Sequence, residues 1–206
     1  MDVGLVVRGF VLGFAVAAPV GPIGVLVIRR ALALGPRTGF VSGVGAATAD
    51  AAYGCLAALG LTSATQLLVG HAGVLRLVGG LFLCSLGLRT LLAPPAAAPP
   101  QTAEESGLWR AYGSTLLLTV TNPMTILSFA AAFAGLGLVD GVAGPAAGLA
   151  LVAGVFLGSM LWWGLLSGAV GLVRRKLGER ALRLVNWIAG AVLIGFGAMA
   201  AAGART

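Results

Sequence analysis

Apolar runs long enough to cross a lipid bilayer recur along the whole sequence. A transmembrane helix needs about 20 mainly apolar residues. Six runs of that kind are present, at residues 5–28, 38–61, 74–93, 111–138, 146–172 and 184–203. With 59% hydrophobic and 9% charged residues, the composition is that of a membrane protein rather than of a soluble domain. The sequence therefore predicts an all-α membrane protein with six transmembrane helices embedded in the lipid bilayer.

The basic residues are placed so that they indicate orientation. Ten of the 13 Lys and Arg residues follow the first, third or fifth run: Arg29, Arg30, Arg37, Arg89, Arg110, Arg174, Arg175, Lys176, Arg180 and Arg183. The positive-inside rule puts these loops in the cytoplasm and both termini outside. Arg76 and Arg89, near the ends of the third run, are expected to extend toward opposite membrane surfaces. The net charge of +7 is therefore an orientation signal, and no nucleic-acid partner is predicted.

The two halves of the sequence resemble each other. Residues 93–110 are rich in Pro and Ala and predict a flexible cytoplasmic linker inside a single transporter domain, 1–206. The linker separates repeat one, 1–92, from repeat two, 111–206. Both repeats contain a G-P-x-x-G pattern, "GPRTG" and "GPAAG", and Asp50 and Ser159 each follow fourteen residues after its proline. "GLFLCSLG" and "GAVLIGFG" form a second matching pair.

A repeat of three spans must insert its second copy upside down. The predicted architecture is therefore two inverted three-helix repeats, which is typical of transporters. Glycines at four-residue spacing, such as Gly154 and Gly158, predict faces along which membrane helices pack closely. These faces fit packing within one chain or a homodimer equally well.

Asp50 is an acid near the middle of the second apolar run. A charged side chain at this depth costs about 2.5–3.5 kcal/mol on insertion scales, unless it faces a polar cavity or is protonated. One interpretation is a protonated, hydrogen-bonded structural acid. The interpretation we favour is a site for a substrate ammonium group or a coupling proton.

The first apolar run contains the stretch "AAPVGPIGV", residues 17–25. Pro19 and Pro22 donate no backbone hydrogen bond, and Gly21 exposes the backbone further. A break at membrane depth is tolerated only where protein or a watery cavity satisfies the freed groups. The second half of the broken helix, beginning near Val20, would direct its N–H groups and positive dipole end at such a cavity, where an anionic group can bind.

The fourth apolar run contains a matching interruption, "TVTNPMTILSF", residues 119–129. Pro123 frees a backbone carbonyl, and Asn122 lies among several hydroxyl side chains. Paired interruptions at corresponding positions of two halves indicate a transporter binding site. The alternative is that Asn122 only stabilises the helix. The predicted substrate-binding residues are Pro19, Gly21, Pro22, Asp50, Asn122 and Pro123, with Asp50 also taking up the coupling proton.

Together, "PVGPIGVLVIRRALALGPRTGFVSGVGAATAD", "TNPMTILSF", "LGSMLWW" and "LRLVNWIAGAVLIGFG" resemble the LysE-type amino-acid exporters, the lysine and homoserine/threonine exporter family. The resemblance covers nearly the whole chain outside the linker. It implies export of amino acids across the bacterial cytoplasmic (inner) membrane by a multi-pass protein, driven by a proton or sodium gradient. It also implies that Gly21, Pro22, Asp50, Asn122 and Pro123 are functional positions.

The sequence departs from the family pattern at two of these motifs. Many members have Gly before the acid, where this chain has Ala49, and many follow N-P with Lys, where this chain has Met124. The small Ala49 changes little. Met124 removes a positive charge near the predicted site and leaves the substrate open.

The preferred hypothesis is a secondary active exporter of amino acids or similar small zwitterions. The substrate carboxylate would lie at the broken first helix and its ammonium group at Asp50. A membrane metal-ion exporter is an alternative, although one His and one intramembrane acid make a poor ligand set. A thiol–disulfide carrier would need Cys55 and Cys84 to meet. No enzyme, resident metal or cofactor is predicted, because the spans hold no nucleophile–His–acid set and no metal-ligand spacing.

Overall fold

The computed structural model of the chain describes residues 3–19, 21–58, 70–92, 104–122, 124–129, 144–174 and 178–203. The regular structure in these ranges is entirely helical, which confirms the all-α prediction for this part of the chain. The helices are α1 (Val3–Ala17), α2 (Pro22–Leu34), α3 (Pro36–Ala58), α4 (Ala72–Leu92), α5 (Glu104–Val120), α6 (124–129), α7 (Pro145–Arg174) and α8 (Glu179–Ala202).

Several of these helices have the length and composition of membrane spans. Among the described residues, three helices are long and apolar enough to cross a membrane: Gly73–Leu92, Pro145–Arg174 and Arg180–Ala202. The bent pair α1 and α2 makes a fourth if it is one span. The exposed side chains of Leu157, Leu161 and Leu165 form an apolar strip along α7. The chain is therefore a multi-pass membrane protein, while the number of six spans stays a prediction.

The helix α3 is long enough to span but less apolar than α4, α7 and α8. It packs against α2, α5 and α7 and lies at the centre of the bundle. A helix surrounded by protein needs small and polar contact residues more than a continuous apolar surface. This position explains why α3 carries Asp50, Ser42 and Thr48 in its length.

The first apolar run is broken as predicted, with different bounds. The chain bends by 80° between α1 and α2. The second half begins at Pro22 rather than near Val20, which lies outside the described residues. Pro22 occupies the first helical position, where a missing N–H costs nothing, and Gly21 is the extended N-cap. The helix continues through Arg29 and Arg30 to Gly35, whose φ of 106° ends it.

Part of the predicted linker is helical in the structure. Residues 104–110, which the sequence analysis assigned to the linker, form the first turns of α5. The predicted run 111–138 is divided into α5 and α6, and its residues 130–138 lie outside the described part of the chain.

Helices pack in pairs along glycine faces. The most extensive contacts join α1 to α7 and α4 to α8, followed by α3 with α7 and α5. On α7, a Cβ atom at Gly154 would meet the backbone of Val6 and Phe10, and one at Gly158 would overlap the Phe10 carbonyl. These glycines therefore allow close approach of α1 and α7 within one chain.

We expect Gly158→Ala to lower the melting temperature of the purified protein in detergent. The added methyl group would overlap the α1 backbone, and overpacking of this kind costs roughly 1–3 kcal/mol. The matched control is Gly168→Ala on the same helix, where no neighbouring atom lies within 4 Å of the added Cβ atom. Equal melting temperatures for the two variants, measured by fluorescence-detected size-exclusion chromatography after heating, would contradict the close packing of α1 on α7.

Candidate functional site

A cavity of about 630 Å³ lies between the two helix breaks and the helices α3, α4 and α8. Five of the six residues that the sequence analysis selected line it: Pro19, Gly21, Pro22, Asp50 and Asn122. Pro123 lies outside the described residues. Residues from distant parts of the sequence are thus brought to one cavity, and their role in binding substrate stays a prediction.

The break between α1 and α2 turns a helix end toward this cavity. The Ala18 N–H donates to the Phe14 carbonyl at 2.9 Å, and the Gly21 N–H donates to the Pro19 carbonyl at 2.9 Å. The N-cap of α2 makes no side-chain hydrogen bond. Its first turn, including Ile23 and Gly24, lines the cavity and presents the positive end of the helix dipole there.

Asp50 is 3% exposed and is oriented by a chain of hydrogen bonds. The indole Nε1–H of Trp163 donates to Ser159 Oγ at 3.1 Å. The Ser159 hydroxyl donates in turn to Asp50 Oδ2 at 2.7 Å. Because an indole can only donate, the serine oxygen accepts and its single proton is directed at the carboxylate. This arrangement presents an acceptor oxygen to Ser159 and fixes the Asp50 side chain at the cavity wall.

Ser159 was identified in the sequence only as the counterpart of Asp50 in the second repeat. Its side chain is fully buried, and it connects α7 to α3. The shared offset from the G-P motif was the one signal that paired these two residues. Spacing alone does not predict that two equivalent residues touch each other.

The second helix break is stabilised by side chains from two helices. Asn122 Oδ1 accepts a hydrogen bond from the Met124 N–H at 3.1 Å, as an N-cap residue does. The hydroxyl of Tyr53 on α3 donates to the carbonyl of Val120, the last residue of α5, at 2.7 Å. The Asn122 amide group therefore caps a helix and also lines the cavity, so the structural interpretation of this residue has direct support.

Arg76 lines the same cavity, although the sequence analysis expected it to extend to a membrane surface. Its Nη1 donates to the carbonyl of Gly203, at the C-terminal end of α8, at 3.0 Å. On α4, Arg76 shares one face with Gly80 and Leu83, which also line the cavity. This helical spacing from a close-packing glycine was the available signal for its direction.

Arg30 is another arginine, and its side chain is buried. From the sequence alone it indicated only the orientation of the chain in the membrane. It is 8% exposed. Its Nη1 donates to Ser42 Oγ at 3.0 Å and to Thr115 Oγ1 at 2.7 Å, and its Nη2 donates to Ser114 Oγ at 2.7 Å. The side chain therefore joins α2 to α3 and α5. Arg174 adds a bond from its Nε to the Leu32 carbonyl at 2.8 Å.

The described residues give little support to the two alternative functions. In these ranges no group of three or more His, Cys, Asp or Glu side chains is arranged to hold a metal ion. Cys55 is exposed on α3, whereas Cys84 Sγ on α4 lies 3.8 Å from the Ile194 carbonyl of α8. Within the described ranges the extensive contacts of α3 are with α2, α5 and α7, and no hydrogen bond between the two thiols is seen there.

The chain is similar to several bacterial membrane proteins. It is 29% identical over 197 residues to the "Chemotactic transduction protein ChpE" of Pseudomonas aeruginosa, covering 93% of this chain and 94% of that protein. It is 30% identical over 181 residues to the "Uncharacterized membrane protein YahN" of Escherichia coli, covering 82% and 76%. It is 27% identical over 197 residues to the "Putative amino acid efflux protein YcgF" of Bacillus subtilis, covering 91% and 90%.

No solved structure matches the chain. The family model described as LysE type translocator matches residues 14–203, which include both helix breaks, Asp50 and the closing helix α8. This match confirms the resemblance seen in the sequence motifs and covers nearly all of the chain. The protein is a member of the LysE type translocator family.

Proposed function

We propose that this protein is a secondary active exporter that moves amino acids or similar small zwitterions out of the cytoplasm. The observation that carries the proposal is the buried carboxyl group of Asp50 on the wall of a cavity shared by both helix breaks. An acid at this depth is costly unless it binds a cation or a proton. The efflux named for YcgF and the shared translocator family support the same class of activity.

The cavity offers complementary groups for the two ends of a zwitterion. Asp50 provides a negative charge for the ammonium group, and Ser159 fixes its orientation. The first turn of α2 provides backbone N–H groups and the positive end of a helix dipole for the carboxylate. Asn122, which also lines the cavity, contributes its amide group.

The same carboxylate also provides a route for ion coupling. A substrate ammonium group and a coupling proton neutralise Asp50 in the same way, so they bind in competition. Entry of a proton from outside would release the substrate, and loss of that proton to the cytoplasm would prepare the site again. Sodium is the alternative coupling ion, with the carboxylate as its ligand.

Inverted repeats would give such a transporter two related halves, and the contacts of α3 and α7 support this architecture. Gly45 and Gly154 lie nine residues after the prolines of the two G-P motifs. A Cβ atom at Gly45 would meet the backbone of α5, and one at Gly154 would meet the backbone of α1. The first helix of the first half is α1, and the first helix of the second half is α5. Exchanging the halves therefore converts the contact of α3 with α5 into the contact of α7 with α1.

The contacts between α4 and α8 support the same relation. A Cβ atom at Gly80 would lie 2.6 Å from the carbonyl oxygen of Gly197, and one at Gly87 would lie 2.8 Å from that of Gly190. The repeat motifs pair Gly80 with Gly190 and Gly87 with Gly197. Exchange of the halves therefore converts the first of these contacts into the second. Six spans in two inverted repeats follow as part of the proposal.

The proposed location is the bacterial cytoplasmic membrane, with the arginine-rich ends of the helices inside. Arg30 and Arg174 lie near the C-terminal end of α2, and their bonds close that end of the bundle. Arg76, Met199 and Gly203, which line the cavity, lie toward the other end of α4 and α8. In this orientation the cavity extends from mid-depth toward the outer surface.

We expect cells that produce this protein to export at least one amino acid faster than cells that carry the empty vector. Cells loaded with labelled dipeptides release single amino acids internally, and a panel of these gives the substrate range directly. Appearance of labelled amino acid outside the cells, abolished by an uncoupler that collapses the proton gradient, would support gradient-driven export. Equal release from producing and control cells for every amino acid of the panel would contradict the proposal.

A further inference from the structure

Two opposite charges face one cavity in this protein. Asp50 and Arg76 are the charged side chains among the described residues that line it. They come from different helices, Asp50 from α3 and Arg76 from α4. No hydrogen bond joins the two side chains there, since Asp50 bonds Ser159 and Arg76 bonds Gly203. The cavity thus separates a fixed anion from a fixed cation.

The hydrogen bond to Gly203 orients the Arg76 side chain but uses only one of its N–H donors. A guanidinium group carries several N–H donors in a rigid planar fork, and the bond to the Gly203 carbonyl uses one of them. The carbonyl belongs to the C-terminal end of α8, where the helix dipole favours a cation. The fork is suited to a carboxylate, which it can bind through two parallel hydrogen bonds.

The charges of the site balance those of a particular substrate class. One acid and one base sum to zero, as do the ammonium and carboxylate groups of an amino acid with an uncharged side chain. A lysine would bring a second ammonium group, and the described wall has no second acid to receive it. A buried charge without a partner is costly, so a dicationic substrate fits this site poorly.

The remaining wall selects for an apolar side chain. Ile23, Leu83, Leu118, Leu127 and Phe196 line the cavity with the thioether of Met124, beside the hydroxyl side chains of Thr119, Thr121, Thr125 and Ser128. Its volume of about 630 Å³ is within the usual range of small-molecule sites. Burial of a hydrophobic side chain against these residues would add affinity roughly in proportion to the area removed from water.

We propose that Arg76, together with the first turn of α2, binds the substrate carboxylate while Asp50 binds its ammonium group, so that the protein transports amino acids with uncharged, apolar side chains. This inference rests on the proposed export function. Arg76 is then a binding residue and the counterpart of Asp50. The competing assignment is that Arg76 only caps α8, in which case its loss would weaken the transport of every ligand alike.

The test compares leucine, isopentylamine (leucine without its carboxylate) and lysine as competitors of labelled leucine uptake into proteoliposomes. For the native protein we expect leucine to compete at least roughly 30-fold better than isopentylamine, because a desolvated charge pair is lost with the carboxylate. Leucine should also compete better than lysine. In Arg76→Gln, leucine should lose most of this advantage while the competition by isopentylamine changes less than roughly threefold. Arg76→Lys, which keeps the charge, should restore part of the preference.

Arg89→Gln is the matched control, because Arg89 is exposed on the same helix and is absent from the cavity wall. It should leave all three competition curves unchanged. An equal loss for leucine and isopentylamine in Arg76→Gln would assign Arg76 to capping alone, and a native preference for lysine would overturn the charge argument. Should Arg76→Gln fail to fold, the native ligand series and Arg76→Lys still decide the assignment. Absence of amino-acid transport by the native protein would instead contradict the export function itself.

Discussion

Asp50→Asn should reduce amino-acid export by at least roughly 100-fold without reducing the amount of folded protein in the membrane. The substitution preserves the shape of the side chain and leaves an oxygen that can accept the Ser159 hydroxyl. It removes the only negative charge among the described residues of the cavity wall, and loss of one partner of a buried charge pair costs about 2–5 kcal/mol. Folding is spared because a neutral amide is cheaper to bury than a carboxylate.

Export from dipeptide-loaded cells measures the loss, and exchange in liposomes at several pH values tests the coupling. We expect the residual exchange of Asp50→Asn to be independent of pH, because the group proposed to take up the coupling proton is gone. Asp50→Glu is the companion variant, since it keeps the charge but displaces it by one methylene group. It should retain part of the activity. Native rates and native pH dependence in Asp50→Asn would remove Asp50 from the mechanism.

Arg30→Met should lower the melting temperature of the protein by roughly 6–12 °C. Arg30 joins α2 to α3 and α5 through hydrogen bonds from a charged donor, and each such bond contributes about 1.5–3 kcal/mol. Because these bonds share one side chain, we expect the free energy of unfolding to fall by about 3 kcal/mol in total. For a protein of this size, such a loss corresponds to the stated shift in melting temperature. Methionine keeps a long apolar stem, so the change isolates the guanidinium group.

The matched control for this prediction is Arg37→Met on α3, where the arginine is exposed. Both substitutions remove one positive charge from the same predicted cytoplasmic side, so they affect the positive-inside signal equally. Melting curves in detergent, recorded with the same protein preparation method, should place Arg37→Met near the native protein. Coincident curves for Arg30→Met and Arg37→Met would show that the buried cluster adds no stability.

The helix breaks were predictable because their cause is local. Pro19 and Pro22 lack backbone donors wherever they occur, and Gly21 adds freedom at the same point, so the interruption follows from covalent chemistry alone. Asp50 was equally accessible to sequence analysis, since one acid in an apolar run must face something polar. The structure accordingly places the described residues of the predicted set at one cavity.

The arginines were not predictable in the same way. Arg30 and Arg76 have long side chains that can turn toward a membrane surface or toward protein, and the choice depends on partners that are far away in sequence. The hydroxyl of Thr115 that binds Arg30 is 85 residues away, and Gly203, which binds Arg76, is 127 residues away. The order of charged residues in the sequence gives the sign of each side chain. It does not show whether the charged group reaches a membrane surface or packs inside the protein.

The hydrogen bond between Asp50 and Ser159 also has a consequence for motion. It joins α3 and α7 near the middle of both helices, and a Cβ atom at Gly43 or Gly54, on either side of it along α3, would meet side chains of α7. When two packed helices tilt relative to each other about a central contact, their ends move far while the central contact moves little. Under the proposed function, a ligand bound by Asp50 would therefore stay almost stationary while the helix ends on either side move to open one face of the protein and close the other.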